Sequence, residues 1–218
     1  GSQNSGDQII MHFSKMELLK IKKIKSHQLF FFPTHISLNC SSLLEIRKSE
    51  ISIICGSNLL SGKHNMHNQW SIGFIDSLFL NNFLLFGTGW RTYEKQSNLY
   101  SKYLYKRLLS KNYLHSVRDS YTKIKLSRMG IKNVVNTGCP TTWGLTKEHC
   151  LDIPIEKSHD VIFTLTDYNR NPEKDKLMIK TLAENYNKLF FWAQGIYDLR
   201  YLRELNISED IIFIDPNL

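Results

Sequence analysis

Apolar residues along the chain fall into two kinds of run. Short, mostly continuous runs, Ile51 to Cys55, Phe83 to Phe86, Tyr113 to Val117, Val134-Val135, Val161 to Leu165, Leu189 to Trp192 and Ile211 to Ile214, predict buried strands. Longer segments between them repeat apolar positions three and four apart, which predicts helices over Phe74–Leu80, Gln96–Ser110, Ser120–Met129 and Tyr197–Leu205, and from Pro172 onward. In the Gln96–Ser110 helix the inward positions are Leu99, Tyr103, Leu104 and Leu108; in the Pro172 helix they are Leu177, Met178, Leu182, Ala183 and Tyr186. Boundary residues agree with this pattern. Gly130 stands where a left-handed C′ residue is wanted, and Asn171-Pro172 pairs a side-chain acceptor with a residue that has no N–H to satisfy. Nearer the start, Ile9, Ile10, Phe13 and Met16 predict a helix opening near Gly6 with Ser5 and Gln8 as a capping box. Gln28 to Phe32 reads as a strand stopped by Pro33, Leu43 to Arg47 as a weak helix, and Ser57 to Gln69 as a polar loop.

Strand–helix alternation with mostly continuous apolar strands means parallel sheets covered on both faces, an α/β architecture. Leu145 to Ser158 is polar, contains Pro154 and has no period, so it reads as a linker. The chain accordingly divides into a first domain over 1–150 and the start of a second over 151–218. The second run holds three predicted strands, about half of a doubly wound domain, and is expected to be completed past Leu218 or elsewhere.

In open α/β sheets ligands bind at the carboxyl edge of the strands. Two polar clusters fall there: Ser116, Arg118, Asp119 and Ser120 after one strand, and Asn136, Thr137, Gly138, Cys139, Pro140 and Thr141 after the next. Gly87-Thr88-Gly89 forms a tight turn at another such edge, and Thr166-Asp167-Tyr168-Asn169-Arg170 occupies the equivalent place in the second run. At the N-terminus, a glycine-bearing turn entering a helix offers free N–H groups and a positive dipole end, which suits an anion; it also fits an ordinary capped helix.

Charge and cysteines narrow the classes. Twenty-eight Lys and Arg against 20 Asp and Glu give a net charge of +8, which favours phosphate-bearing small molecules, nucleic acid or acidic lipid, or a merely solvated basic surface. Lys20-Ile21-Lys22-Lys23-Ile24-Lys25 is a basic alternating patch facing solvent. Cys40, Cys55, Cys139 and Cys150 show neither CxxC nor zinc spacing, so a reduced cytoplasmic protein is the simplest account. Cys139 as a nucleophile has no local feature to distinguish it from a structural thiol. His64 and His67 have a metal-compatible spacing but no nearby carboxylate, so no metal is expected. No membrane span or secretory signal is present.

The stretch Ser116-Val117-Arg118-Asp119-Ser120-Tyr121, then Gly130-Ile131, then Asn133 to Trp143, resembles the polysaccharide pyruvyl transferase family. Asn4-Ser5-Gly6-Asp7 resembles that family's Asn-x-Gly-Asp turn, and Ile53 to Leu60 its strand followed by a glycine-rich turn. Asp160 to Asn169 and Phe190 to Gly195 resemble the opening strands of its second domain. The resemblance implies two Rossmann-like doubly wound domains similar to B-type glycosyltransferases, with the site in the cleft between them. It implies transfer of the enolpyruvyl unit of phosphoenolpyruvate, with no other cofactor, onto paired hydroxyls of a sugar in a bacterial surface polysaccharide (exopolysaccharide) or its lipid-linked precursor. Cytoplasmic location, with possible peripheral contact at the inner membrane face, goes with such an acceptor. The family's Arg-Leu-His-Gly type motif, expected to supply a donor-binding arginine and an acid/base histidine, has no match in residues 1–218, so the catalytic acid/base stays unassigned.

Ketal formation needs a proton at the enol carbon, stabilisation of an oxocarbenium-like centre, and a site for phosphate and carboxylate. Arginine suits both anions because its planar fork binds either through two donors. Arg118 is therefore the local anion candidate, the alternative being an ion pair with Asp119 or a helix-end contact. Asn4, Gly6 and Asp7 are candidates for the acceptor or phosphate edge of the first domain. Asp119, Thr137, Asp167, Tyr168 and Asn169 are candidates to line the cleft, with Asp119 as a helix cap and the others as plain loop residues the alternative. Two other functions fit less of the pattern. One is a glycosyltransferase using a nucleotide-sugar. The other is a non-catalytic basic module binding acidic polymer, although no nucleic-acid motif appears and nucleic acid is not expected as a partner.

Overall fold

The computed structural model describes residues 5–21, 29–66, 69–94 and 96–214. Asn4, His67, Gln28 and Lys22 to Lys25 lie outside them. The protein is α/β, with eight α-helices and small parallel sheets among the described residues. The chain groups into two compact units, Ile9–Thr146 and Gly1–Gln8 with Lys147–Leu218.

In the larger unit, β1 (Ser52–Cys55) pairs in parallel with β2 (Phe83–Phe86), from Ser52 opposite Phe83 to Cys55 opposite Phe86. β3 (His115–Val117) pairs in parallel with β4 (Val134–Asn136), from His115 opposite Val134. The bridge between Thr88 and Val117 joins the two pairs, and the Arg118 amide donates to the Thr88 carbonyl at 3.1 Å. Helices α2 (Cys40–Lys48), α3 (Phe74–Phe79), α4 (Leu99–Leu108) and α5 (Ser120–Arg128) belong to this unit. Leu60, Leu85, Leu104, Tyr105, Leu108, Val117 and Leu126 are fully buried in its core. Removing each such leucine from water is worth about 1.5–3 kcal/mol.

The helix ends follow from sequence chemistry. Asp119 and Asn98 cap α5 and α4 with side-chain oxygens. At the far end of α5 Gly130 takes φ +92°; its amide donates to Ser127 and that of Ile131 to Leu126, closing a Schellman motif.

The other unit holds β5 (Asp160–Phe163), β6 (Lys188–Trp192) and β7 (Ile211–Ile214), parallel and in that order. α7 (Pro172–Asn185) and α8 (Asp198–Glu204) lie between these strands in sequence; Asn171 caps α7 and Pro172 is its first residue. Phe163, Leu189, Phe191, Ile179, Tyr201, Leu202 and Leu205 form a second core. A short helix, α6 (Lys147–Leu151), stands within the stretch expected to be a linker.

Several expectations need correction. Leu29 to Phe32 is not a strand: among the described residues the run has no neighbouring strand, Phe30 and Phe31 are exposed, and Pro33 offers no N–H to a ladder. In α4 the buried face is Ser101, Leu104, Tyr105 and Leu108, while Leu99 and Tyr103 are exposed. In α7 Ile179 is the buried residue, with Leu182 and Tyr186 packed beside it, and Leu177 and Met178 face outward. The loop after β1 is polar in sequence yet partly internal. His64 is 1% exposed, with Nδ1 3.0 Å from the Tyr105 hydroxyl and Nε2 2.9 Å from the Ile72 carbonyl.

Candidate active site

The carboxyl edge of the larger unit is assembled on glycines that leave room for other groups. Gly56 (φ +56°) follows β1; a methyl there would sit 1.9 Å from the Ile10 side chain. Ile10 belongs to α1 (Ser5–Leu19), which so lies against this turn. Gly87 (φ +64°) follows β2, and Pro140 occupies the space its Cβ would take. Gly89 completes the series: a Cβ would meet both Arg118 Cδ and Asn58 Oδ1 at 2.4 Å. These small residues are the reason Arg118 and Asn58 can stand together over the edge.

Arg118 is half-buried, with its guanidinium nitrogen 3.4 Å from Asn58 Oδ1. The ion pair with Asp119 does not form. Asp119 Oδ1 instead accepts from the Thr122 amide at 2.7 Å and the Thr122 hydroxyl at 2.8 Å, so Asp119 is a helix cap. Among the described residues Arg118 takes part in no ion pair. Its charge is held by a neutral partner, which leaves the guanidinium able to meet an anion.

Beside Arg118, the Ser116 and Thr137 hydroxyls lie 2.5 Å apart, and Ser116 Oγ accepts from the Gly87 amide at 2.9 Å. Asn136 donates to Ser120 Oγ at 3.1 Å. Trp143 donates its indole N–H to the Thr137 carbonyl and packs edge-on against Phe86. Thr137 therefore has its side chain tied to Ser116, and it lies on the same edge as Arg118. Cys139 Sγ accepts from Thr141 Oγ1 at 3.2 Å.

Two histidines of this unit serve the framework. His115 is fully buried; its Nδ1 accepts from the Leu85 amide at 3.2 Å and its Nε2 donates to the Ser110 carbonyl at 2.8 Å. That pattern fixes a neutral imidazole between β2 and β3. Burial holds His115 and His64 below the ordinary 6.5, since the charged form would lose its water. Burial also pushes the Cys55 thiol up to about 11, which makes it an inert thiol.

In the other unit the carboxyl edge is tied by Asp198, 3% exposed. Its carboxylate accepts from the amides of Asp167 at 3.2 Å, Gln194 at 3.0 Å and Gly195 at 2.7 Å, fastening the turns after β5 and β6. Asp167 offers its carbonyl to Arg170 Nε at 2.8 Å. Arg170 also pairs with Glu204 at 2.6 Å and lies over the Tyr201 ring. Tyr201 donates to Asp175; burial first, and that carboxylate next, push its hydroxyl up to about 12. Tyr168 and Asn169 are exposed on the same turn.

The first residues of α1 group with this unit, and the Ser5 amide donates to the Gln194 carbonyl at 2.7 Å. Gly6 and Asp7, expected on the edge of the first domain, thus sit in the smaller unit. A continuous helix pattern carries no sign of which unit its first turn joins. Asn58 and Asp198 were not singled out as site residues. Asn58 lies in the recognised Gly-Ser-Asn turn, so its proximity to a strand end was a usable signal; Asp198 reads in sequence as an ordinary first-turn acid. Among the described residues no cluster of His, Cys, Asp and Glu could hold a metal ion.

The fold and this edge define an α/β protein whose strand ends present an arginine that pairs with no carboxylate among the described residues, beside amide and hydroxyl groups, a setting for an anionic small ligand. The polysaccharide pyruvyl transferase family model matches residues 4–215, nearly the whole chain. The chain belongs to that family, and it is by kinship a transferase. No curated protein and no solved structure matches it.

Proposed function

We propose that the protein transfers the pyruvyl unit of phosphoenolpyruvate onto two hydroxyls of a sugar in a bacterial surface polysaccharide or its precursor. Both units are then Rossmann-like, and Arg118 receives the phosphate or the carboxylate of the donor. The observation that carries this reading is Arg118 itself: seated over Gly89, braced by Asn58 and in no ion pair among the described residues. The family match over residues 4–215 supplies the reaction class.

The chemistry balances simply. Protonation of the donor's methylene carbon creates an oxocarbenium-like centre at the adjacent carbon, which one sugar hydroxyl attacks. The C–O bond to phosphate then breaks, and the second hydroxyl closes the ketal. One hydroxyl proton balances the new methyl group and the other leaves with phosphate. A guanidinium near the phosphate stabilises the negative charge that gathers on the leaving group. His64 and His115 are buried and neutral, with both ring nitrogens engaged, so neither is assigned the proton transfer. Thr137, Asp167, Tyr168, Asn169, Gly6 and Asp7 remain candidates for substrate contact in this reading, as does Asn4.

Calorimetric titration with phosphoenolpyruvate tests the donor assignment. Binding that Arg118→Ala weakens by roughly ten- to a hundredfold is expected, since a hydrogen bond to a charged group is worth about 1.5–3 kcal/mol. Protection by a nucleotide-sugar without binding of phosphoenolpyruvate would replace this reading with glycosyl transfer.

A further inference from the structure

The larger unit carries a helix whose apolar side faces outward. In α3, Phe74, Ile75, Leu78 and Phe79 are 45%, 72%, 49% and 56% exposed. The residues turned inward are polar. Ser77 is buried and donates to the Phe74 carbonyl at 2.6 Å, and Asp76 accepts from the Gly73 amide at 2.7 Å. An amphipathic helix packed on a core shows the opposite arrangement.

Helix α4 extends the same surface. The Phe74 ring stacks on Tyr103 with centroids 5.8 Å apart, and Arg107 Nε donates to the Ser77 carbonyl. Leu99, Tyr103 and Lys106 recur at helical spacing on the outer side of α4, where Leu99 is 82% exposed. Lys102, Lys106 and Arg107 are exposed on this helix, which contains no acidic residue. On the far side of α3, Phe79 and Arg47 of α2 line one shallow groove with Glu50, and Lys48 pairs with Glu45 at 3.5 Å. Exposed aromatic and aliphatic side chains are thus bordered by the cations of α4, which no acid on that helix offsets, while on the α2 side Arg47 and Lys48 are matched by Glu50 and Glu45.

We propose that this face docks on the surface of a bilayer containing anionic phospholipid. Apolar side chains reach the acyl boundary while Lys102, Lys106 and Arg107 meet lipid phosphates. The charge selects this occupant. A second copy placed face to face would set these cations against each other, and a soluble polyanion would leave Phe74, Ile75, Leu78 and Phe79 in water. The net charge of +8 favours the same encounter at long range.

Co-sedimentation of the whole chain with vesicles tests the docking, without depending on any transferase activity. One set is phosphatidylcholine alone; the other is phosphatidylcholine mixed with phosphatidylglycerol. Binding is expected to the mixed vesicles only and to weaken in high salt. The pairs Ile75→Ser with Leu78→Ser, and Lys102→Glu with Lys106→Glu, each lower it by about tenfold or more, the first by removing apolar side chains from the acyl boundary and the second by reversing charges that meet lipid phosphate. Circular dichroism confirms folding, and the lysine pair, at exposed positions, carries the test if the apolar pair unfolds. No vesicle binding, equal binding to neutral vesicles, or binding that a folded variant leaves unchanged overturns the proposal. Self-association abolished by the Ile75→Ser and Leu78→Ser pair, with no vesicle binding, overturns it in favour of a second copy.

Discussion

Replacing Gly89 with alanine asks how Arg118 is held. The added methyl would fall 2.4 Å from Arg118 Cδ and Asn58 Oδ1, both parts of movable side chains. The fold therefore survives and the guanidinium shifts. Gly89→Ala is expected to reduce phosphoenolpyruvate affinity by about tenfold with little change in melting temperature; a large loss of stability would show that the neighbours cannot yield. Asp119 behaves differently. As a cap and not an ion-pair partner, Asp119→Ala should destabilise the larger unit by about 1 kcal/mol while Arg118 keeps its place, which urea unfolding and donor titration measure separately. His64 and His115 set the pH response. Both are held below 6.5 in the fold, so the unfolded chain takes up protons first as the pH falls. Their contribution is fully present above about 6.5 and is lost as the pH drops toward the lowered values, by up to about 2.7 kcal/mol per pH unit for two protons. Urea midpoints across that window should decline with acid; a flat profile contradicts the neutral assignment.

Among the elements, the Asp198 carboxylate is the clearest single fastening. It serves three main-chain amides from two turns, so Asp198→Ala leaves those donors without a partner. A loss of about 3 kcal/mol in the smaller unit is expected, seen as faster amide exchange at Asp167, Gln194 and Gly195; unchanged protection there would contradict it. Most elements were legible from pattern because their signals are local. Short, mostly apolar runs became β1 to β7, and Gly130, Asp119 and Asn171-Pro172 ended or began helices where their chemistry requires. What was not legible depended on distant partners. Leu29 to Phe32 has strand composition but, among the described residues, no neighbouring strand to pair with. The faces of α4 and α7 were misread because Leu99, Tyr103, Leu177 and Met178 are apolar yet outward. His64 does lie in a loop, but its burial was not legible, because nothing near it in sequence announces Tyr105, whose hydroxyl lies 3.0 Å from its Nδ1. The edge residues were found from their place after strands, whereas the partnership of Arg118 with Asn58, 60 residues away, exists only in three dimensions.

At the scale of the molecule, two cores each carry their own parallel strands and their own polar strand ends. The family match spans both, so the chemistry assigned to the protein rests on the chain as a whole. Pyruvyl transfer is tested most directly by following both products. The full chain is incubated with phosphoenolpyruvate and candidate saccharide acceptors; phosphate is quantified and the saccharide is examined by mass spectrometry and NMR. Phosphate release matched by a pyruvate ketal on the sugar is expected, with both lowered together in Arg118→Ala. Phosphate released without ketal, or a sugar product formed only from a nucleotide-sugar, would contradict it.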